Sequence, residues 1–230
     1  MYLFFIWAQH CSQVYNMNIL FLLLFGFLFG FLIKKVVNWL SINNYRMKIK
    51  NPILEILNGL ACSWAFSNLT FYDALIFILL FGTLSGLSII DMYTFQIPLI
   101  FIAFGILVLL VGYFLKIIFL QDALWGVFVG AIIPLLIMGS LWLVTKRQGM
   151  GYGDIQLGFL LGAWLGPFRM AITLFIASSL SLLIWMITSF FKGFDKDRAM
   201  PMAPFLSISG VATLIVSIYY PNFFQLLAFN

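Results

Sequence analysis

The sequence predicts an all-α fold, a polytopic membrane protein of about eight transmembrane helices, and three observations carry that expectation. Of its 230 residues 64% are hydrophobic and only 8% are charged, far from the composition of a water-soluble globule. The polar residues gather in short interruptions between apolar runs, most of them long enough to cross the hydrocarbon of a bilayer. Ten of the 12 Lys and Arg residues collect on alternate interruptions, as cytoplasmic loops of membrane proteins do. Disorder is excluded by 27 Phe and a mean hydropathy of +1.11, and a disulfide scaffold by the presence of only two Cys. The net charge of +5 therefore marks topology here rather than an affinity for nucleic acid.

Taken in order, the first span runs from about Asn18 to Val37, and a weaker second covers Pro52 to Phe66. The third, Tyr72 to Ile90, is apolar almost throughout and stops at Asp91. Pro98 to Phe119 and Asp122 to Thr145 follow, and Pro134 should kink the fifth span at the carbonyl that its missing N–H leaves free. Beyond a Gly-rich run come a short sixth stretch, Ile155 to Leu165, then Met170 to Phe191 and Pro204 to Tyr219. Gly-xxx-Gly spacings at Gly26 and Gly30, Gly82 and Gly86, Gly126 and Gly130, and Gly158 and Gly162 would each let two helices approach closely.

Residues 1–17 have no basic region ahead of their apolar residues and no small-residue cleavage pattern, so they read as an outer tail rather than a secretory signal. Met17 is a second candidate start, and His10, in the tail, is not expected to take part in chemistry. Lys34, Lys35, Arg46, Lys48 and Lys50 follow span one, Lys146 and Arg147 span five, and Lys192, Lys196 and Arg198 span seven. These loops are expected in the cytoplasm and both termini outside, with only Lys116 and Arg169 on the opposite face. Asp195 and Asp197 interleave with the last basic group and read as solvated.

With seven acidic residues in the chain, the place of each is informative, because a carboxylate near the bilayer centre costs roughly 2.5–3.5 kcal/mol. Asp91 ends the third span, six residues before Ile97-Pro98, and Asp154 closes the run Gly149-Met150-Gly151-Tyr152-Gly153-Asp154. On the topology above both lie at cytoplasmic helix ends. Two carboxyls held about 3 Å apart cannot both ionise, so they share a proton. One can then deprotonate a water while the other protonates a peptide carbonyl, and Gly151 and Gly153 would let backbone pass close to the pair. The same residues also suit plainer roles, Asp91 as an interfacial charge and Asp154 as an N-cap. Glu55, expected in the first turn of span two, reads first as an anion favoured by the helix N-terminus there, with a site role as the alternative.

Gly151-Tyr152-Gly153-Asp154 has the form of the GxGD motif of intramembrane aspartic proteases. The wider run from Gly149 to Gly166 resembles the second catalytic segment of bacterial type IV prepilin peptidases, and Asp91 with Ile97-Pro98 resembles the first. Pro52 to Leu57, with Glu55, is similar to that family's P-x-x-E-x-x segment, and Pro201 to Phe205 to its late P-x-x-P-F. The resemblance extends in order over roughly Asn18 to Ser217. It implies an inner-membrane aspartic peptidase, with residues 71–230 as the peptidase domain and 18–70 as N-terminal helices with a shortened basic loop. Asp91 and Asp154 become the catalytic dyad, Gly151, Gly153, Glu55 and Pro98 shape the site, and the peptidase needs no metal or cofactor. Its partners would be prepilins and pseudopilins, cut after a short basic leader at the cytoplasmic face, together with the bilayer itself; nucleic acid is not expected, and the oligomeric state is open.

Many members of that family also N-methylate the new N-terminus with S-adenosylmethionine and carry two CxxC pairs in the first cytoplasmic loop. Here that loop, Asn38 to Asn51, holds no Cys, and Cys11 and Cys62 are isolated, so a four-Cys zinc site is not expected. Gly30 to Lys34 replaces the family's early G-S-F-L-N, and S-adenosylmethionine is implied only if methyl transfer is retained. Gln156 stands where the family usually has Lys, and Leu99 where Asp or Asn often follows. Tyr72-Asp73 offers a presenilin-like first aspartate, but on this topology it faces the other side. A proton-relaying transporter would place the two acids deeper and show two-fold symmetry, and a silent assembly factor would not need both.

Overall fold

A computed structural model of the chain describes residues 18–42, 45–46, 49–146, 151–193 and 200–227. The tail with His10, Cys11 and Met17 lies outside the described residues, as do Lys48, Arg147, Gly149, Met150, Asp195, Lys196, Asp197 and Arg198. The architecture is all-α, with one minimal β-ladder. Helices α1 (Ile19–Trp39), α2 (Ile53–Asn68), α3 (Phe71–Thr94) and α4 (Leu99–Phe114) correspond to the first four spans. The fifth is a composite of α5 (Leu120–Val127), a π-helical segment (Phe128–Ile132) and α6 (Ile133–Thr145). Then come α7 (Tyr152–Leu165), α8 (Pro167–Lys192), α9 (Ala203–Tyr219) and the short α10 (Pro221–Leu227). Strands β1 (Ser41–Ile42) and β2 (Tyr45–Arg46) pair antiparallel, Ser41 opposite Arg46.

α1, α3, the composite helix and α8 are each long and apolar enough to cross a membrane, and α4 and α9 are shorter apolar helices. Large apolar side chains such as Phe175, Phe190 and Phe191 stand exposed on α8, as they would in contact with lipid rather than water. The protein is a multi-pass membrane protein. Helix ends differ from the apolar runs for local reasons. α1 continues to Trp39, so Lys34 and Lys35 sit in its last turns and not in a loop. α4 stops at Phe114, well before the run ends at Phe119: the Ile117 N–H donates to the Gly112 carbonyl and the Lys116 N–H to Tyr113, with Lys116 left-handed at φ 60°. That is the Schellman arrangement, here built without glycine.

The chain divides into two compact units, Met1–Gly86 with Leu110–Ile117, and Leu87–Leu109 with Ile118–Asn230. In the first, α1 and α2 approach closely along a glycine face. A Cβ on Gly26 would lie 2.5 Å from the Asn58 carbonyl oxygen, and one on Gly30 would lie 2.7 Å from the Glu55 Cα. Gly82 of α3 accommodates the Phe29 ring and Ile33 in the same unit, and the Trp64 and Phe77 rings pack with centroids 5.2 Å apart.

In the second unit α5 and α7 cross antiparallel, glycine against glycine. Gly126 faces the Gly162 backbone, and Gly130 and Gly158 face one another's carbonyls. The expected effect of Pro134 takes the form of the π-helical turn just before it, because a chain that loses one i→i−4 donor can re-register its bonds by one residue. The carbonyl that Pro134 leaves without that donor is the one on Gly130, which faces Gly158. Leu157, Leu160, Leu161 and Leu165 of α7 are buried, Leu160 over Gly105 of α4 and Leu161 against Gly210 of α9. α7 ends at Gly166, whose φ of 77° turns the chain directly into Pro167, the first residue of α8.

The α5–α7 crossing is a test of packing without chemistry. Gly162→Ala would set a Cβ against the Gly126 carbonyl, which cannot rotate away as a side chain can. A loss of about 1–3 kcal/mol is expected in reversible unfolding from mixed micelles. Gly139→Ala is the control, since nothing lies within 4 Å of its added Cβ and only the gain in helix propensity remains.

Candidate active site

Asp91 belongs to the last turn of α3, where its own carbonyl accepts the Phe95 N–H at 2.9 Å and closes the helix. Phe95 is left-handed, φ 52°, a conformation a bulky residue adopts only when its surroundings impose it. A carboxylate at a helix C-terminus opposes the macrodipole, and the Asp91 side chain is only 5% exposed. What holds it there is the opposite end of another helix. Asp91 Oδ2 accepts the backbone N–H of Ala203, the first residue of α9, at 2.9 Å in a buried setting, and the Met202 backbone also faces it. Pro204, the second residue of α9, has no N–H of its own, and the first intrahelical bond of α9 runs from Leu206 to Met202.

Asp154 is the third residue of α7. Gly151, not Asp154, is the N-cap, so the plain N-cap reading of Asp154 does not hold. Its carboxylate instead reaches back to the Gly151 backbone, the acidic half of a capping box. Burial pushes the Asp154 carboxyl up to about 6, the nearby Asp91 charge adds to the rise, and the Gly151 backbone bond opposes both. Gly153 explains how the two segments come together: a Cβ there would sit 3.0 Å from the Ile97 Cβ and 3.1 Å from its Cγ1. Only a residue without a side chain lets the start of α7 approach the Ile97-Pro98 link this closely.

Asp91 and Asp154 line one cavity of about 470 Å³. Gly151 and Gly153 border it beside Tyr152, the Phe95-Gln96-Ile97 link forms a wall, and Leu99, Gln156, Met200 and Met202 complete the lining. Pro98 adjoins it, with its carbonyl accepting the Phe101 N–H in the first turn of α4. Two carboxyls in such a cavity can divide one proton between them and act together on a water and a carbonyl group. Among the described residues no group of three His, Cys, Asp or Glu side chains is placed to hold a metal ion.

Residues 75–187 match the type IV leader peptidase family. It is similar to the prepilin leader peptidase/N-methyltransferase of Pseudomonas putida, 32% identical over 189 residues, which are 80% of this chain and 65% of that protein. The protein of the same name from Stutzerimonas stutzeri is 28% identical over 171 residues, 71% of this chain and 57% of the relative. One from Dichelobacter nodosus is 38% identical over 91 residues, 38% of this chain and 30% of the relative. The chain thus spans less than two thirds of the length of these relatives. No solved structure matches it.

The other acidic candidates have local roles. Glu55 lies in the first turn of α2, buried, in the first compact unit, and its Oε1 accepts from Lys34 Nζ at 2.7 Å. Lys34 also donates to the Lys50 and Asn51 carbonyls, so a residue read as a topology mark holds the β-ladder connection to α1. Asp73 accepts the Thr70 hydroxyl at 2.6 Å, and its N–H returns to Thr70 Oγ1 at the start of α3, a helix cap in the first unit. Sequence reasoning missed the Ala203 N–H. A backbone donor has no residue-type signature, and the prolines at 201 and 204 were its only outward sign. Phe95 and Tyr152 were missed because an exposed aromatic beside a membrane span is ordinary.

Gly153→Ala tests whether this approach matters. The added Cβ would push α7 and the Ile97 link apart by a few tenths of an ångström, and any turnover that depends on Asp91 and Asp154 together is expected to fall at least about tenfold. Ile97→Ala in the same chain, which removes two of the three crowding atoms, should recover part of it. Equal turnover in Gly153→Ala and the parent would show that the glycine serves something other than close packing.

Proposed function

We propose that this protein is a leader peptidase of the inner membrane that cuts the short basic leader from type IV prepilins and pseudopilins at the cytoplasmic face. The observation that carries the reading is the placement of Asp91 and Asp154 on one cavity, each at the end of a helix rather than in its middle. Helix-end placement favours hydrolysis of a peptide at the membrane surface over proton relay through the bilayer. The names of the relatives, which join leader peptidase to N-methyltransferase, support the same substrate class. In this reading the substrate is a membrane helix entering sideways, with its basic leader on the cytoplasmic side near anionic lipid headgroups.

In the reaction, the charged member of the pair takes a proton from a water as the water oxygen bonds to the scissile carbonyl carbon. The carbonyl electron pair moves onto its oxygen, which receives the proton of the other carboxyl. The tetrahedral diol then collapses. The C–N bond breaks, the leaving nitrogen takes the proton first removed from water, and the second carboxylate recovers its proton from the diol. Gly151 and Gly153 keep the cavity wall low enough for an extended substrate backbone, and Pro98 fixes the far end of the Asp91 loop. No cofactor enters these steps. Methyl transfer from S-adenosylmethionine remains a separate activity, for which Glu55 and the rest of residues 18–70 are the region to examine.

Cleavage of a generic prepilin in membranes, followed by mass spectrometry of the new N-terminus, tests the proposal. Asp91→Ala and Asp154→Ala should each lose at least about a thousandfold in rate. If both retain parental rates, the two-carboxyl mechanism fails. The same spectra show whether the product carries an added methyl group.

A pH profile adds a second check. The pair needs one retained proton, and with the Asp154 carboxyl pushed up to about 6, kcat/KM should decline as pH rises through about 6. Gln156, on the same cavity, is the place to move that limb. Gln156→Lys puts a positive charge beside the carboxyls, favours their ionised form and should shift the decline to lower pH. A shift to higher pH would contradict this electrostatic account.

A further inference from the structure

The cavity that holds the two carboxyls has an apolar side that the hydrolytic steps leave unused, lined by Phe95, Ile97, Leu99, Met200 and Met202. Most of these have a place in the fold without any ligand. Ile97 packs against Gly153, Leu99 begins α4, and Met202 precedes α9 and accepts the Leu206 N–H. Phe95 has no such reason to be aromatic. The short link from α3 to α4 imposes a left-handed backbone on it, φ 52°, a region that glycine occupies at no steric cost and that a bulky side chain avoids. What the helix end uses of residue 95 is its N–H, which donates to the Asp91 carbonyl and which glycine would supply equally well.

Burial does not offset the strain, because the Phe95 side chain stays 54% exposed. Anchoring to the lipid interface does not account for it either. Interface belts favour Trp and Tyr, and the adjoining Met92 and Tyr93 are as exposed as Phe95 yet do not line the cavity. The other left-handed residues that are not glycine, among those described, are Lys116 and Lys146. Both are exposed charged side chains outside the cavity, where water takes up the ammonium group. Phe95 alone combines a strained backbone, an exposed apolar ring and a place on the cavity wall beside Asp91 and Asp154.

We propose that Phe95 is a specificity-determining residue, whose ring forms the surface on which a large apolar substrate side chain next to the scissile bond is seated. The inference rests on the peptidase reading above and deepens it by naming the residue that does the selecting. A ring on a backbone with little freedom offers broad contact at a small cost in conformational entropy, and the thioethers of Met200 and Met202 can adjust around whatever it holds. The substrate side chain then covers apolar surface that the free protein leaves in water, and its neighbouring carbonyl is kept in the cavity of the two carboxyls.

Prepilin substrates that carry Leu or Ala at each of the two residues flanking the scissile bond in turn test this. At one of the two positions the parent should prefer Leu by at least about tenfold in kcat/KM. Phe95→Gly should reduce that preference to within about threefold, and Phe95→Leu should keep most of it. Tyr93→Ala, equally exposed but outside the cavity, should leave it unchanged. Phe95→Gly should also unfold at a higher temperature than the parent, since the strain is relieved, so its lost preference cannot be put down to misfolding.

An undiminished preference in Phe95→Gly would overturn the proposal while the peptidase reading stood. A lower unfolding temperature for Phe95→Gly would overturn it as well, by showing that the ring serves the fold. If the parent cuts none of the substrates, the peptidase reading itself fails and the role of Phe95 falls with it.

Discussion

The second compact unit depends on a mismatch that it has to resolve: a carboxylate at the unfavourable end of its own helix. Asp91 lies in the last turn of α3, enclosed from water, where the dipole of α3 opposes its charge. An uncompensated buried anion would cost several kcal/mol, enough to consume much of the stability of a small domain. The N-terminus of α9 supplies the compensation through the Ala203 N–H. One contact therefore couples the end of α3, the start of α9 and the cavity, and the packing of α9 through Gly210 against Leu161 carries the constraint on to α7. Asp154 needs no such help, since it sits at the favourable end of α7 and caps that helix while it lines the cavity.

Small residues make the rest possible. The α5–α7 crossing brings backbone to backbone, and the π-helical turn before Pro134 adjusts the register of the longer partner beside it. Within the first unit the same device sets α1 against α2 at Gly26 and Gly30 and encloses the Lys34–Glu55 pair. In lipid, where no hydrophobic force drives helices together, such close contact is the main source of packing energy. It also leaves the backbones little room to shift against one another.

Much of this was legible in the residues, because in a membrane protein a charge is rare enough for its place to carry meaning. The helices follow from runs such as Tyr72 to Ile90, and Asp91 and Asp154 stood out because apolar sequence adjoins each of them. The glycine pairs were visible as spacing, but which helix each would meet was not, since Gly126 and Gly162 name no partner until the chain is folded. Helix ends were the weakest part. The stop at Phe114 depends on Lys116 adopting φ 60° and the extension to Thr94 on Phe95 adopting φ 52°, conformations that neither residue type advertises. Lys34 read as a loop charge because its partner, Glu55, lies in another helix. The Ala203 donor was invisible for the simplest reason, that every residue but proline carries one.

The length of α7 has a consequence for the lipid around it. Fourteen residues rise about 21 Å, whereas the hydrocarbon of an ordinary bilayer is about 30 Å thick. A helix that begins at one interface therefore stops well short of the other. The membrane meets such a shortfall by thinning or by letting polar groups and water follow the helix end inward, at a cost of fractions of a kcal/mol per ångström. Where lipid meets the end of so short a helix, water and polar groups can follow it inward more easily than along a full-length span.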